Sequence, residues 1–248
     1  MIYHGFSTRD YLILQNITLS KEISVLEIGV GTGSAADLII GKVKKYCGVD
    51  ISAGLIDWLK SVYKNEDSVK LCAIDVCKDE FLGEKFDVVF SADTLEHVKS
   101  PEGYFNFIAK HLSSEGVALV TFPNESGKKH HGISWFNSKT ELLNIIDSFG
   151  LKVLNIYQVK ETIYHQLIKK FLWSLPKSIV SRRTDVSPQS FENTEAFEII
   201  KTGGVKANLF ACYSRIITKL AAFFPLYNLD ETEENISDKV LLLCLKHK

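Results

Sequence analysis

A glycine-spaced segment with an acidic residue is the clearest sign of chemistry in this chain. Residues 25–33 are Val-Leu-Glu-Ile-Gly-Val-Gly-Thr-Gly, an apolar run that ends in three alternating glycines. Glycine lets the backbone turn sharply and approach a ligand closely. The residues before the glycines have the pattern of a buried strand, and residues 34–40 have the pattern of a helix. This order predicts a pocket for a nucleotide-type ligand, with Glu27, Gly29, Gly31 and Gly33 as candidate binding residues.

Two more acidic residues follow the next two predicted strands. Asp50 ends the apolar run over 46–49, and Asp75 ends the run over 69–74. Because the carboxyl ends of parallel strands meet at one edge of a sheet, both carboxylates are expected beside the glycines. The competing interpretation is that Asp50 and Asp75 are ordinary turn residues.

Strands and helices alternate along the part of the chain that positions these residues. Helix starts are predicted at Ser52, Ser100 and Ser138, each of which has the character of an N-cap, and Gly150 is a natural stop. The alternation indicates an α/β fold with a parallel sheet and helices on both faces. The predicted strands are residues 24–28, 46–49, 69–74, 86–90, 117–122, 151–159 and 239–245.

A long insertion precedes the last predicted strand. With 248 residues, the chain has room for one α/β core and an insertion. Apolar residues at helical spacing predict a helical cap. We therefore divide the chain into a core over 1–160, a cap over 161–237 and a final core strand over 238–248. The cap is expected to act as a lid or a homodimer surface rather than as a membrane-contacting segment.

Charge and cysteine content exclude some classes of function. The 29 basic and 30 acidic side chains almost balance, which argues against a nucleic-acid partner. The five cysteines form no CxxC pair, and no His or Cys cluster has zinc spacing, so no metal site is predicted. No apolar run is long enough to span a membrane. We expect a cytoplasmic protein.

In combination, these motifs resemble the class I S-adenosylmethionine-dependent methyltransferases over about residues 20–160. Two more segments carry the resemblance: Phe-Asp-Val-Val-Phe-Ser over 86–91 and Leu-Glu-His-Val over 95–98. The resemblance implies a Rossmann-like, seven-stranded, mostly parallel sheet with an antiparallel last strand. The helical cap is an addition of this chain, inserted before that strand. It also implies S-adenosylmethionine as the methyl donor and S-adenosylhomocysteine as the product.

The resemblance also implies a role for each residue of the donor pocket. The three glycines would line the methionyl part, and Glu27 would orient their loop. Asp50 would accept hydrogen bonds from both ribose hydroxyls, since two carboxylate oxygens match two vicinal donors. The remaining candidates would contact the adenine or border the methionyl part and its methyl group: Ile51, Asp75 and Val76 for the adenine, and Ser91, Ala92 and Asp93 for the methionyl part and the methyl group.

The acceptor side has its own candidates. An anionic acceptor needs cations, whereas a neutral hydroxyl benefits from a base such as histidine. The segment after the fifth strand offers both, with Trp135 and Phe136 as an apolar wall. His97 is a further candidate base, although it could merely hold its loop, and the Lys/His segment could be a solvated loop. The candidates in that segment are Lys128, Lys129, His130 and His131.

The sequence therefore predicts an enzyme that methylates an oxygen of a small polar metabolite. The resemblance places it near the quinone-pathway and sugar-tailoring methyltransferases, from which the long insertion departs. The Lys/His segment favours an anionic or phosphorylated acceptor, for example a surface-polysaccharide or capsule precursor. Two alternatives stay open: an NAD(P)-dependent oxidoreductase that uses the glycine loop, and a non-catalytic protein that binds S-adenosylmethionine. Recruitment of magnesium at Asp93 also stays open.

Overall fold

The structure is a computed structural model that describes residues 8–78, 83–124, 135–167 and 226–248. Short helical turns follow β3 (Val76–Lys78) and β4 (Leu95–His97), and residues 163–167 are helical. The helices and strands are, in chain order, α1 Thr8–Gln15, β1 Ser24–Ile28, α2 Ala36–Ile39, β2 Lys45–Asp50, α3 Ala53–Val62, β3 Val69–Ala73, β4 Phe86–Ala92, α4 Pro101–His111, β5 Leu112–Asn124, α5 Lys139–Ser148, β6 Leu151–Glu161, β7 Tyr227–Glu231 and β8 Lys239–His247.

One mixed sheet organises these elements, in the strand order β3-β2-β1-β4-β5-β8-β6-β7. The first five strands in this order, β3-β2-β1-β4-β5, are parallel to one another. The last strand, β8, lies antiparallel between β5 and β6. The Rossmann-like fold class and the antiparallel last strand are therefore confirmed.

The strand count differs from the prediction, because the sheet has eight strands where seven were expected. The added strand, β7, falls inside the range 161–237 that was assigned to the cap, and it pairs antiparallel with β6. Its sequence, Tyr-Asn-Leu-Asp-Glu, is short and mostly polar, so no apolar alternation marks it. Most of the cap lies outside the described residues. Within the described ranges, no helix is long and apolar enough to cross a membrane.

The helix starts follow the predicted caps. In each case the serine hydroxyl accepts a hydrogen bond from the backbone N–H three residues later, which satisfies a donor that the helix leaves unpaired. Ser52 accepts from Leu55, Ser100 from Gly103 and Ser138 from Glu141, at 3.2, 3.1 and 3.1 Å. At the other end of α5, Gly150 has a φ of +71°, a left-handed conformation that ends a helix.

Helices cover both faces of the sheet. One face packs against α4 and α5 through a core that includes Tyr104, Phe107 and Ile146. The opposite face packs against α1, α2 and α3, with Ile39 and Ile56 fully buried there. Because both faces are covered, the site can only open at the ends of the strands.

A buried histidine at the end of α4 makes stability depend on pH. His111 stacks on Phe107, and its Nδ1 lies 2.7 Å from the Phe107 carbonyl oxygen. Burial lowers the pKa of His111 below its ordinary value of 6.5. The unfolded chain therefore binds a proton more readily than the folded one. The stability from neutral His111 is complete above about pH 6.5 and is lost as pH falls towards the folded-state pKa.

We expect His111→Gln to reduce this acid sensitivity. Urea unfolding at about pH 7.5 and about pH 5 would give the loss in free energy of unfolding for each protein. The wild type should lose more stability on acidification than the variant does. An equal loss in both proteins would contradict a role for His111.

Candidate functional site

The glycine loop begins directly after β1. Gly29, Gly31 and Gly33 have φ values of +76°, +50° and +77°, a region that residues with a Cβ rarely adopt. The N–H groups of Gly29 and Val30 both donate to the carbonyl of Val49, at 2.8 and 3.0 Å. The loop is therefore held against the end of β2.

The space around the glycine loop differs between Gly29 and Gly31. At Gly29, an added Cβ would lie only 2.1 Å from Oγ1 of Thr94, just beyond β4. At Gly31, the nearest atom to an added Cβ would be the Gly29 carbonyl oxygen at 4.0 Å. The loop thus packs tightly against Thr94, while Gly31 faces open space in which a ligand has room.

Asp50 links β2 to the glycine loop. Its Oδ2 accepts a hydrogen bond from the Gly31 N–H and its Oδ1 accepts one from the Ser52 N–H, both at 2.9 Å. Each carboxylate oxygen keeps acceptor capacity for another donor. The next residue, Ile51, is 68 % exposed, which is unusual for a large aliphatic side chain and gives an apolar surface beside the carboxylate.

Asp75 lies next to Asp50 at the same edge of the sheet. The Ile74 N–H donates to the Asp50 carbonyl at 2.8 Å, and Asp75 Oδ1 accepts from the Cys77 N–H at 3.1 Å. Val76 is buried in the core, so its side chain offers little surface to a ligand. Contacts of Asp75 and Val76 with adenine stay a prediction.

The three residues at the end of β4 that were predicted to border the methyl group lie in different environments. Ser91 is fully buried and its hydroxyl donates to the Ile28 carbonyl at 2.9 Å. Its side chain therefore joins β4 to β1 inside the core instead of lining a pocket. Ala92 is partly buried. Asp93 has a φ of +52°, a strained backbone of the kind found at functional sites, and its Oδ1 lies 3.4 Å from Oγ1 of Thr121.

The turn after β4 brings two acceptor-side candidates together. His97 is largely exposed, and its Nε2 lies 3.8 Å from Oε1 of the buried Glu96. The indole N–H of Trp135 donates to the Leu95 carbonyl at 3.0 Å. Trp135 therefore packs on the turn that carries His97, from a segment that follows β5.

Phe136 does not form the predicted apolar wall. It is fully buried, with its ring edge-on to Phe122 at 6.0 Å between centroids. Its backbone N–H and carbonyl both bond to the Asn124 side chain, at 3.2 and 2.6 Å. Phe136 is a core residue because Asn124 fixes its backbone in the core. The other candidates of this segment, Lys128, Lys129, His130 and His131, lie outside the described residues.

The structure adds three residues that the sequence analysis did not select. Tyr46 donates to Glu27 beneath the glycine loop, Thr94 packs on Gly29, and Asn124 also donates to the Ile236 carbonyl at 2.9 Å. None of them has a spacing that marks it, since each acts on a residue distant in the chain. In the described ranges, no group of three His, Cys, Asp or Glu side chains could hold a metal ion.

The residues present fit an adenosyl ligand. The loop is open at Gly31, Asp50 offers two oxygens for vicinal hydroxyls, and the exposed Ile51 offers an apolar surface for a base. These features lie at the carboxyl ends of β1 and β2, where open α/β sheets bind ligands.

Comparison with known families gives a match over most of this core. The model of a family described as a methyltransferase domain matches residues 7–156. The match includes the glycine loop, Asp50, Asp75 and the turn that carries His97. It contradicts the alternative of a nicotinamide-dependent oxidoreductase.

Curated relatives and a solved structure share parts of the chain. A malonyl-[acyl-carrier protein] O-methyltransferase of Acetivibrio thermocellus is 26 % identical over 48 % of this chain and 43 % of its own. Phosphoethanolamine N-methyltransferase 2 of Caenorhabditis elegans is 32 % identical over 40 % of this chain and 23 % of its own. The chain thus spans less than half of these relatives.

Phosphoethanolamine N-methyltransferase 2 of Haemonchus contortus, solved in complex with S-adenosyl-L-methionine, has a similar fold. The likeness covers 100 % of this chain and 54 % of that one, with a TM-score of 0.57 and 20 % sequence identity. At that identity the likeness shows the fold alone.

Proposed function

The chain belongs to the methyltransferase-domain family of class I S-adenosylmethionine-dependent enzymes, and we propose that its acceptor is an oxygen of a small polar metabolite. The bound donor supplies an electrophilic methyl group on a sulfonium. Transfer is an in-line displacement, so the protein must mainly align the acceptor and leave it a free lone pair. A hydroxyl acceptor also has to lose its proton.

The observation that carries this proposal is the position of His97. Its exposed imidazole lies in the turn after β4, three residues beyond Thr94, which packs against Gly29 of the donor loop. An imidazole titrates near neutral pH and suits removal of a hydroxyl proton. We assign His97 as the general base, with Trp135 supporting its turn through the Leu95 carbonyl.

We place the acceptor in the anionic or phosphorylated class. Lys128 and Lys129 follow β5, whose carboxyl end lies beside that of β4 in the sheet. Two ammonium groups at this edge would attract a phosphate or carboxylate group. A precursor of a surface polysaccharide or capsule is one such metabolite. His130 and His131, in the same segment, would be additional proton acceptors.

A second candidate is N-methylation of a small phosphorylated amine. The relative from Caenorhabditis elegans is named as a phosphoethanolamine N-methyltransferase, and it shares 32 % identity over its matched region. An amine in its neutral form already has a lone pair, so its methylation needs no strong base. The phosphate group of such an acceptor would need cations to bind it.

The test is to follow a labelled methyl group into metabolites. The protein would be incubated with deuteromethyl-labelled S-adenosylmethionine and fractionated metabolites from its own cell, in parallel with phosphoethanolamine. Tandem mass spectrometry of labelled products would place the methyl group on oxygen or nitrogen. A label on oxygen of an anionic metabolite supports the proposal, and a label on nitrogen supports the second candidate. Absence of label from every metabolite fraction and from phosphoethanolamine would overturn both.

With the acceptor in hand, we expect His97→Gln to lower kcat about a hundredfold at neutral pH. The donor dissociation constant should stay unchanged, because the proposed role begins after donor binding. His247→Gln is the matched control, since His247 bonds to the Leu112 carbonyl at the opposite end of β5. A wild-type kcat in His97→Gln would exclude His97 as the base.

A further inference from the structure

A buried tyrosine lies under the glycine loop and is bonded to its acidic residue. Tyr46 is fully buried on β2, and its hydroxyl donates a hydrogen bond to Oε2 of Glu27, which is 3 % exposed. Burial and the adjacent Glu27 carboxylate hold the pKa of Tyr46 well above its usual value. The hydroxyl therefore stays protonated and keeps donating.

The register of the sheet shows why this contact forms. Glu27 lies opposite Gly48, and Tyr46 lies opposite Val25, so the tyrosine is one diagonal step from the carboxylate. The Tyr46 ring must then pass the position of Gly48. An added Cβ at Gly48 would lie 3.2 Å from the Tyr46 hydroxyl oxygen and 2.9 Å from Cδ2 of Leu71. The glycine leaves the space that the hydroxyl occupies.

The same face of β2 also carries Asp50, whose carboxylate binds the glycine loop. Side chains alternate along a strand, so Tyr46, Gly48 and Asp50 point to one face, and Asp50 accepts from the Gly31 N–H at 2.9 Å. Glu27, just before the loop, is held by Tyr46. A buried carboxylate without donors is very unfavourable, so the position of Glu27 depends on its partners.

We infer that Tyr46 is a positioning residue for S-adenosylmethionine, because its hydroxyl fixes the Glu27 carboxylate and thereby the conformation of the glycine loop. The inference rests on the donor site of the proposed function and is independent of the acceptor. Tyr46 itself is buried beneath the loop and acts through Glu27.

The first test is the donor affinity of Tyr46→Phe. Calorimetric titration with S-adenosylhomocysteine should give a dissociation constant about tenfold higher than wild type, the size expected when one hydrogen bond to a charged group is lost. Tyr63→Phe is the matched control, since it removes a tyrosine hydroxyl that bonds to Asp37 Oδ1 at 3.0 Å. The control should bind with wild-type affinity. A purely structural Tyr46 would lower the melting temperature and leave affinity unchanged, which would overturn the inference.

A double-mutant cycle tests whether Tyr46 acts through Glu27. If it does, Tyr46→Phe should weaken binding in the wild type and have little further effect in Glu27→Leu, which has no acceptor for the hydroxyl. Additive losses would overturn the inference. If Tyr46→Phe does not fold, Glu27→Gln and Glu27→Leu serve instead, because the amide oxygen of glutamine can still accept from the Tyr46 hydroxyl and a leucine side chain cannot. Equal donor affinity in these two variants would overturn the inference. Since the readout is donor binding, failure to find an acceptor leaves it untouched.

Discussion

Replacement of Gly29 by alanine is expected to abolish measurable binding of S-adenosylmethionine and to lower the free energy of unfolding by roughly 2–5 kcal/mol. Two effects add at this position. The φ of +76° is unfavourable for any residue with a Cβ, and that Cβ would lie 2.1 Å from Oγ1 and 2.8 Å from Cγ2 of Thr94. Relief requires the loop and Thr94 to move apart, which changes the loop conformation on which donor binding is proposed to depend.

A second glycine separates these two effects. Gly41 has a φ of +82° but no atom within 4 Å of an added Cβ, so Gly41→Ala should lose only about 1–2 kcal/mol and keep donor affinity. Denaturant unfolding and calorimetric titration would measure both quantities. Thr94→Ala in the Gly29→Ala background removes the two closest atoms and should restore part of the stability. The steric explanation is wrong if Gly29→Ala and Gly41→Ala are equally stable.

Asp50→Ala is expected to weaken donor affinity roughly a thousandfold, since it removes two hydrogen bonds to a charged group. It also removes the acceptor for the Gly31 N–H. Water reaches this half-buried site and can replace the acceptor in the absence of ligand. The free energy of unfolding should therefore fall by only about 1–2 kcal/mol. Loss of affinity with a folded protein is the signature of a ligand-binding carboxylate.

The matched control for Asp50 is Asp57 on α3. Asp57 is exposed and lies 3.7 Å from Lys60, so Asp57→Ala should change neither affinity nor stability appreciably. Titration calorimetry with S-adenosylhomocysteine and circular dichroism of both variants would decide the matter. If Asp50→Ala retained affinity within a few-fold of wild type, the ribose role of Asp50 would have to be abandoned.

Much of the fold could be predicted because its signals are local. The serine caps at Ser52, Ser100 and Ser138 bond to N–H groups three residues away, so a short stretch of sequence contains both partners. Buried parallel strands are continuous apolar runs, which mark β1, β2 and β4. By contrast, β7 is polar and pairs antiparallel with β6 at the edge of the sheet. Its pairing partner is distant in the chain, so the sequence carries no local sign of it.

The candidate site divides in the same way. Gly31 and Asp50 were selected from their positions at strand ends, and they lie together as expected. Ser91 was selected at a strand end and Phe136 as part of an aromatic pair beyond β5, but both side chains are buried in the core. A strand-end position predicts which residues are near the pocket. Which way each side chain points depends on the strand register and on packing partners from other elements.

By itself, the sequence determined the fold class and, through its resemblance to the class I methyltransferases, the donor. The fold class follows from caps and apolar periodicity, which act over a few residues. The glycines and strand-end acids predict the edge of the sheet at which the donor binds. Only the tertiary structure placed Tyr46 beneath Glu27, Thr94 against Gly29 and Trp135 on the turn of His97. Each of these contacts joins residues from different elements, and its geometry depends on how the whole sheet is paired and covered.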